Sequence, residues 1–67
     1  MNKRIIKSIA TGQVMNNDGE FVDRTDENVA AIEDSAEYFY SCDRYESICS
    51  VQSVDRETGE VLELVLA

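Results

Sequence analysis

The chain has 67 residues and a formal net charge of -8 at pH 7, with 43% hydrophobic residues, 30% charged residues and no histidine or proline. We expect one small domain, residues 1–67, since the composition is typical of neither a disordered nor a membrane-spanning chain. So acidic a chain is repelled by nucleic acid and by anionic membranes, which indicates a basic protein as partner. Residues 1–12 lack the continuous apolar core of a secretion signal, so we expect a cytoplasmic protein.

The residue types exclude the common catalytic and metal sites. Cys42 and Cys49 are the only cysteines and there is no histidine, so one chain cannot supply four zinc ligands of Cys or His type. A calcium loop with Gly19 at its sixth position would need Val14 and Thr25 as ligands, which does not work. Serine, threonine and cysteine nucleophiles lack an activating base. We therefore predict a non-enzymatic protein without cofactor or metal, whose two thiols stay free as small apolar side chains.

The first predicted elements are two strands joined by a turn. Residues Lys3–Met15 are rich in β-branched side chains and predict a strand, within which Gly12 marks a bulge or bend. The pair Asp18-Gly19 favours a tight hairpin turn, and residues Glu20–Val22 then form a short returning strand.

A helix is predicted next, beginning at Thr25 or Asp26 and ending near Ser41 or Cys42. Its apolar residues recur at spacings of three and four, which places them on one stripe facing a sheet. They are Val29, Ile32, Ala36, Phe39 and Tyr40.

Two further strands complete the predicted fold. They are Tyr45–Val54 and Val61–Leu66, joined by a turn in which Gly59 takes a left-handed backbone. The predicted fold is α+β, a four-stranded mostly antiparallel sheet with one helix packed on a face, in the order ββαββ. The last strand is apolar on both sides, so either it is central with a second cover or a second copy of the chain covers it. We favour a homodimer.

An α-helix turns by about 100° per residue, and this rotation places the acidic residues on one flank of the predicted helix. At about 1.5 Å of rise per residue they follow one another every 3 to 4 Å or so, close to the roughly 3.4 Å between phosphates of one DNA strand. They are Asp26, Glu27, Glu33, Asp34 and Glu37, and the preceding turn adds Asp18, Glu20 and Asp23.

Two interpretations of this flank are open. It either presents carboxylates to a partner protein or is a solvated face that keeps the chain soluble. Glu33 and Glu37 form a like-charge pair four residues apart, which a purely solubilising face could avoid. Tyr38 lies beside the acids, where it either stacks on arginine side chains of a partner or covers the edge of the sheet.

In size, charge and lack of catalytic groups, with DENVAAIEDSAE as its acidic cluster, the chain resembles the small acidic proteins that bacteriophages make to disable host machinery. Many of these mimic DNA, and often act as dimers. The resemblance implies a target such as a histone-like protein, RNA polymerase, a restriction enzyme or a CRISPR effector. Our hypothesis is an inhibitor that presents a DNA-mimicking acidic surface. The alternatives are an interaction module using a strand edge or the apolar face of Val61–Leu66, and an antitoxin or immunity-type protein.

Overall fold

Six strands and two short helices follow one another in the computed structural model, which describes residues 3–67. Of the predicted domain 1–67, only residues 1 and 2 lie outside the described residues. The strands are β1 (Arg4–Ser8), β2 (Val14–Met15), β3 (Phe21–Val22), β4 (Tyr45–Cys49), β5 (Gln52–Asp55) and β6 (Val61–Leu66). The helices, α1 (Asp26–Ala31) and α2 (Ala36–Ser41), come between β3 and β4.

All six strands belong to one sheet, in the order β3-β2-β1-β6-β5-β4. Every pair of neighbours is antiparallel. The α+β class agrees with the prediction, but the four-stranded ββαββ arrangement with a single helix is wrong.

The first predicted strand is a hairpin, because the chain reverses before Gly12. The N–H of Gly12 donates to the Ser8 carbonyl at 2.9 Å, and the N–H of Ser8 donates to the Gln13 carbonyl at 2.8 Å. Gly12 has a φ of 75°, a left-handed conformation that glycine adopts without steric cost. It therefore ends a tight loop between β1 and β2 rather than marking a bend within one strand.

The loop between β5 and β6 has the same geometry. The N–H of Gly59 donates to the Asp55 carbonyl at 2.7 Å, and the N–H of Asp55 donates to the Glu60 carbonyl at 2.8 Å. The predicted left-handed backbone of Gly59 is confirmed by its φ of 76°. In both loops a threonine precedes the glycine, Thr11 in one and Thr58 in the other, and its hydroxyl accepts a backbone N–H two residues further on at 3.2 Å.

The predicted strand Tyr45–Val54 is also two strands. The chain turns at Ser50 and Val51, between β4 and β5, without the glycine or proline that usually signals a turn. The ladder between these strands shifts register between Ser47 and Cys49, where β4 contains a bulge.

The two helices pack on opposite faces of the sheet. Successive side chains of a strand point to opposite faces, and in β1 the buried Ile6 contacts a cluster containing Phe39 of α2. Its neighbour Ile5 belongs to a second cluster with Ile32, the residue that follows α1. Val65 of β6 packs against that second cluster. Apart from Leu66, which is 61% exposed, the two-sided apolar pattern of β6 thus has a cover on each face within one chain, so this pattern by itself does not require a second copy.

The break between the helices allows the chain to pass from one face of the sheet to the other. Ile32 ends α1 with an extended backbone, and the N–H of Ser35 donates to the Arg4 carbonyl at 2.8 Å. The Lys3 carbonyl accepts from Ala67 on the β6 side of β1, so the next carbonyl, that of Arg4, points to the other side. Residues 32–35 therefore pass beside β1 from one face of the sheet to the other. We call them the linker.

The side chains of the linker favour this break. Asp34 accepts the N–H of Ala36 at 2.9 Å through its carboxylate, and the Ser35 hydroxyl donates to the Glu33 carbonyl at 3.2 Å. Such local side-chain bonds compete with helical hydrogen bonds. The predicted continuous stripe is consequently divided. Ile32, Ala36 and Phe39 are buried as expected, but on two faces, and Tyr40 is 57% exposed.

Candidate functional site

The predicted partner-binding residues are all exposed, but they do not lie along one helix. The first turn of α1 holds Asp26 and Glu27, the linker holds Glu33 and Asp34, and α2 holds Glu37 and Tyr38. Asp18 and Glu20 lie between β2 and β3, and Asp23 lies between β3 and α1. Since α1 and α2 cover opposite faces, the single row of carboxylates at the spacing of DNA phosphates is wrong.

In the part of the chain that the structure describes, the predicted acids nevertheless form no ion pair. Within residues 3–67 both ion pairs are made by Arg44, with Asp55 at 2.9 Å and Glu57 at 3.2 Å. Neither of these carboxylates belongs to the predicted site. Lys3, which could have neutralised the linker, instead donates to the backbone carbonyls of Ala30 and Ile32 at the end of α1. The negative charge of the predicted residues is therefore offset by solvent and salt rather than by a bonded base.

Four of the predicted residues line one cleft of about 360 Å³. It lies between the turn 16–19 and the linker, and we call it the acidic cleft. The four are Asp18, Glu33, Asp34 and Tyr38, and Met15 also lines the cleft. Folding thus brings Asp18 next to two acids that lie about fifteen positions further along the chain. The remaining predicted acids are not part of its lining.

Asn17 joins the two sides of the acidic cleft. Its side-chain amide donates to the Ala31 carbonyl at 2.9 Å and accepts the N–H of Glu33 at 2.9 Å. The neighbouring Asn16 shapes the turn itself, because its side-chain oxygen, Oδ1, accepts the N–H groups of Asp18 and Glu20. The sequence analysis did not single out Asn17, and no local signal marks it, since its two hydrogen-bond partners lie 14 and 16 residues further along the chain.

Tyr38 belongs partly to the core and partly to the acidic cleft. Its ring meets that of Tyr45 edge to face at 5.8 Å, and 48% of the residue is exposed. Tyr45 is buried and donates its hydroxyl to the sulfur of Met15 at 3.8 Å. Burial raises the pKa of the Tyr45 hydroxyl far above its ordinary value, so this ring stays neutral and apolar. It provides a fixed support for the exposed ring of Tyr38.

Carboxylates beside an aromatic ring suit a cationic group, which can pair with the acids and lie against the ring. Within residues 3–67 no group of three or more Asp, Glu or Cys side chains has the geometry to hold a metal ion. Cys42 is half-buried and packs against the core, whereas Cys49 is exposed, and both are free thiols. The residues that line this site can therefore pair with a cationic side chain.

Comparison with protein-family models, with curated proteins and with solved structures finds no match to this chain. Neither helix in the described part of the chain approaches the length needed to cross a membrane, since each has six residues. Any functional conclusion consequently depends on the geometry of the site itself.

Proposed function

We propose that this protein is a non-enzymatic, cytoplasmic binding protein that presents its acidic surface to a basic, nucleic-acid-binding partner and so blocks the access of nucleic acid to that partner. The observation that carries the proposal is the acidic cleft, whose lining includes the exposed Tyr38 and three acids that form no ion pair within residues 3–67. No cofactor takes part.

Charge acts at two distances in this proposal. The net charge of -8 attracts a basic partner over about one Debye length, which is about 8 Å at physiological salt, and so raises the rate of encounter. At contact, the acidic cleft accepts a lysine or arginine side chain. A guanidinium group can bond to Glu33 or Asp34 while its plane lies against Tyr38. The surface thus imitates nucleic acid in charge, without its regular spacing.

The resemblance to phage-encoded inhibitors supplies the proposed setting, in which the target is a host protein such as a histone-like protein. A homodimer would double the acidic surface and stays a prediction. An antitoxin or immunity protein would mask a basic enzyme by the same charge, so the partner that is captured separates these possibilities. The apolar face of β6 is less suited to docking, because Leu62 and Leu64 are 0% and 6% exposed.

The test is competition with DNA for a purified histone-like protein, followed by fluorescence anisotropy of a labelled duplex. The unmodified protein should release the duplex, and the release should weaken steeply as salt is raised. In a cleft variant, Asp18→Asn, Glu33→Gln and Asp34→Asn remove three charges while each amide keeps the shape and hydrogen-bonding oxygen of the acid. We expect at least about a ten-fold loss of competition.

A matched control removes the same charge elsewhere, through Asp43→Asn, Glu57→Gln and Glu63→Gln, none of which lines the acidic cleft. It should retain most of the competition. Equal losses in the two variants would mean that net charge alone acts and would refute a role for the acidic cleft. Competition that is insensitive to salt would refute the proposal as a whole.

A further inference from the structure

β4 forms one edge of the sheet, and the register shows which of its backbone groups point away from β5. The N–H of Arg56 donates to the Arg44 carbonyl at 2.9 Å, so Arg44 bonds toward β5. Backbone groups alternate direction along an antiparallel strand, so Glu46 also bonds toward β5 and Ser47 bonds outward. The register Glu46↔Val54 is in line with this assignment.

The outward groups of β4 form a short set of free hydrogen-bonding positions. Within the described residues, the Tyr45 N–H is used by the Cys42 carbonyl at 3.2 Å, which leaves the Tyr45 carbonyl and both backbone groups of Ser47. The opposite edge, β3, has only two residues, so it offers fewer such groups. Free groups at a strand edge pair readily with another extended segment.

The side chains at this edge indicate which side chains a pairing segment should have. Glu46 is the only charged residue of β4, and it is exposed. Ile48 is 56% exposed, and Val51 in the following turn is 43% exposed. The bulge after Ser47 ends the regular edge, which confines pairing to the first part of β4.

We propose that β4 docks an extended segment of a partner protein as a seventh strand, with a basic side chain near Glu46 and an apolar one near Ile48. Charge identifies the occupant. A second copy of the chain also has a net charge of -8 and would be repelled, whereas a basic segment is attracted by the same negative charge. This surface lies at the opposite edge of the sheet from the turn between β2 and β3. The ring of Tyr45 nevertheless contacts Tyr38 of the acidic cleft, so the response of the Ser47 amide, rather than that of Tyr45, distinguishes the two surfaces.

The test is an NMR titration of the isotope-labelled protein with a capped peptide of alternating valine and lysine, beside a peptide of alternating valine and glutamate. With the lysine peptide we expect shifts centred on Tyr45–Ile48 and about a ten-fold slower hydrogen exchange of the Ser47 amide, as a new hydrogen bond forms. Equal binding of the glutamate peptide would overturn the proposal. So would shifts confined to Asp18, Glu33 and Tyr38, which is the result expected from the acidic cleft alone. Protection of Ser47 that grows with protein concentration before peptide is added would assign the edge to a second copy and also overturn it.

Substitutions at Ser47 separate the backbone from the side chain. Ser47→Pro removes the outward N–H without removing a bond to β5, and should weaken the lysine peptide by about ten-fold. Ser47→Ala keeps the N–H and should bind as the unmodified protein does. Should the proline variant fail to fold, a chemically synthesised chain with N-methylated Ser47 removes the same donor. Undiminished binding by a folded variant that lacks this donor would refute the proposal.

Discussion

The side chain of Asn17 should hold the acidic cleft in shape, and its removal gives a prediction that can be worked out from two hydrogen bonds. Both bonds, to the Ala31 carbonyl and from the Glu33 N–H, are 2.9 Å long. A hydrogen bond of this kind contributes about 0.5–1.5 kcal/mol net. Because Asn17 is exposed, water replaces part of that contribution. We therefore expect Asn17→Ala to lower the free energy of unfolding by about 1–2 kcal/mol.

Faster hydrogen exchange of the Glu33 amide identifies the lost hydrogen bond more directly than a lower free energy of unfolding does. Asn17 is the partner of the Glu33 N–H, so in Asn17→Ala this amide should exchange its hydrogen about 5–30 times faster. The melting temperature should fall by about 4–8 °C for each kcal/mol lost in a domain of this size. Amide exchange by NMR and thermal unfolding by circular dichroism measure the two effects. Affinity for a basic partner should fall as well, because Asp18 and the linker acids are no longer held together.

Two further variants test whether Asn17 bridges the two sides of the acidic cleft. Asn17→Asp keeps an acceptor for the Glu33 N–H but loses the donor to Ala31, so the Glu33 amide should stay more protected than in Asn17→Ala. Asn28→Ala also removes an exposed asparagine bond, to the Asp23 carbonyl at 2.8 Å, and should leave Glu33 unaffected. Unchanged exchange of the Glu33 amide in Asn17→Ala would refute the bridging role of Asn17.

The remaining predictions concern stability. Gly12→Ala and Gly59→Ala should each cost about 1–2 kcal/mol by calorimetry, since an added Cβ meets nothing within 4 Å and only the left-handed backbone resists it. Clearly unequal costs would contradict the shared loop geometry. Asp55→Asn should destabilise the fold by about 1–2 kcal/mol at pH 7, the low end for a charged hydrogen bond because Arg44 is 42% exposed. The hydrogen bond from Arg44 lowers the pKa of the Asp55 carboxyl, so this stability is complete above the unfolded pKa of about 4 and is lost as the pH falls through the folded pKa. In urea titrations the deficit of Asp55→Asn should therefore shrink in acid, whereas one that stays constant down to pH 2 or so would argue against the ion pair. Glu57→Gln, at a carboxylate that is 69% exposed, should cost no more than about 1 kcal/mol.

Local signals in the sequence predicted the parts of the fold that local chemistry determines. The helix was expected to begin at Thr25 or Asp26, and α1 begins at Asp26 with Thr25 as its N-cap, whose hydroxyl accepts the N–H of Asn28 at 3.1 Å. The turn at Asp18-Gly19 is confirmed by a φ of 84° at Gly19. The last strand has the predicted bounds, Val61–Leu66. In each case a few adjacent residues contain all the interactions that decide the conformation.

Two errors were local, because the loop that ends at Gly12 and the turn at Ser50 and Val51 were both predicted as continuous strand. The other errors arose where partners are distant in the chain. The helix breaks because the linker bonds to Arg4 and Asn17, and neither residue is near it in sequence. Apolar spacing could not reveal the break, because Ile32 and Phe39 fit one helical stripe yet pack on opposite faces. The acidic cleft was missed for the same reason. Four of the nine predicted residues line it, and they come together because Asn17 bonds to Ala31 and Glu33.

The central pairing of β1 with β6 has a consequence for how the chain folds. These strands lie near opposite ends of the sequence, with Arg4 opposite Leu66, yet they occupy the middle of the sheet. Closing so long a stretch of chain is slow compared with forming the hairpins on either side. The meeting of these strands should therefore limit the folding rate, and Ile6→Val should slow refolding in stopped-flow measurements more than it speeds unfolding. During synthesis, the interior cannot be completed until the last strand has left the ribosome.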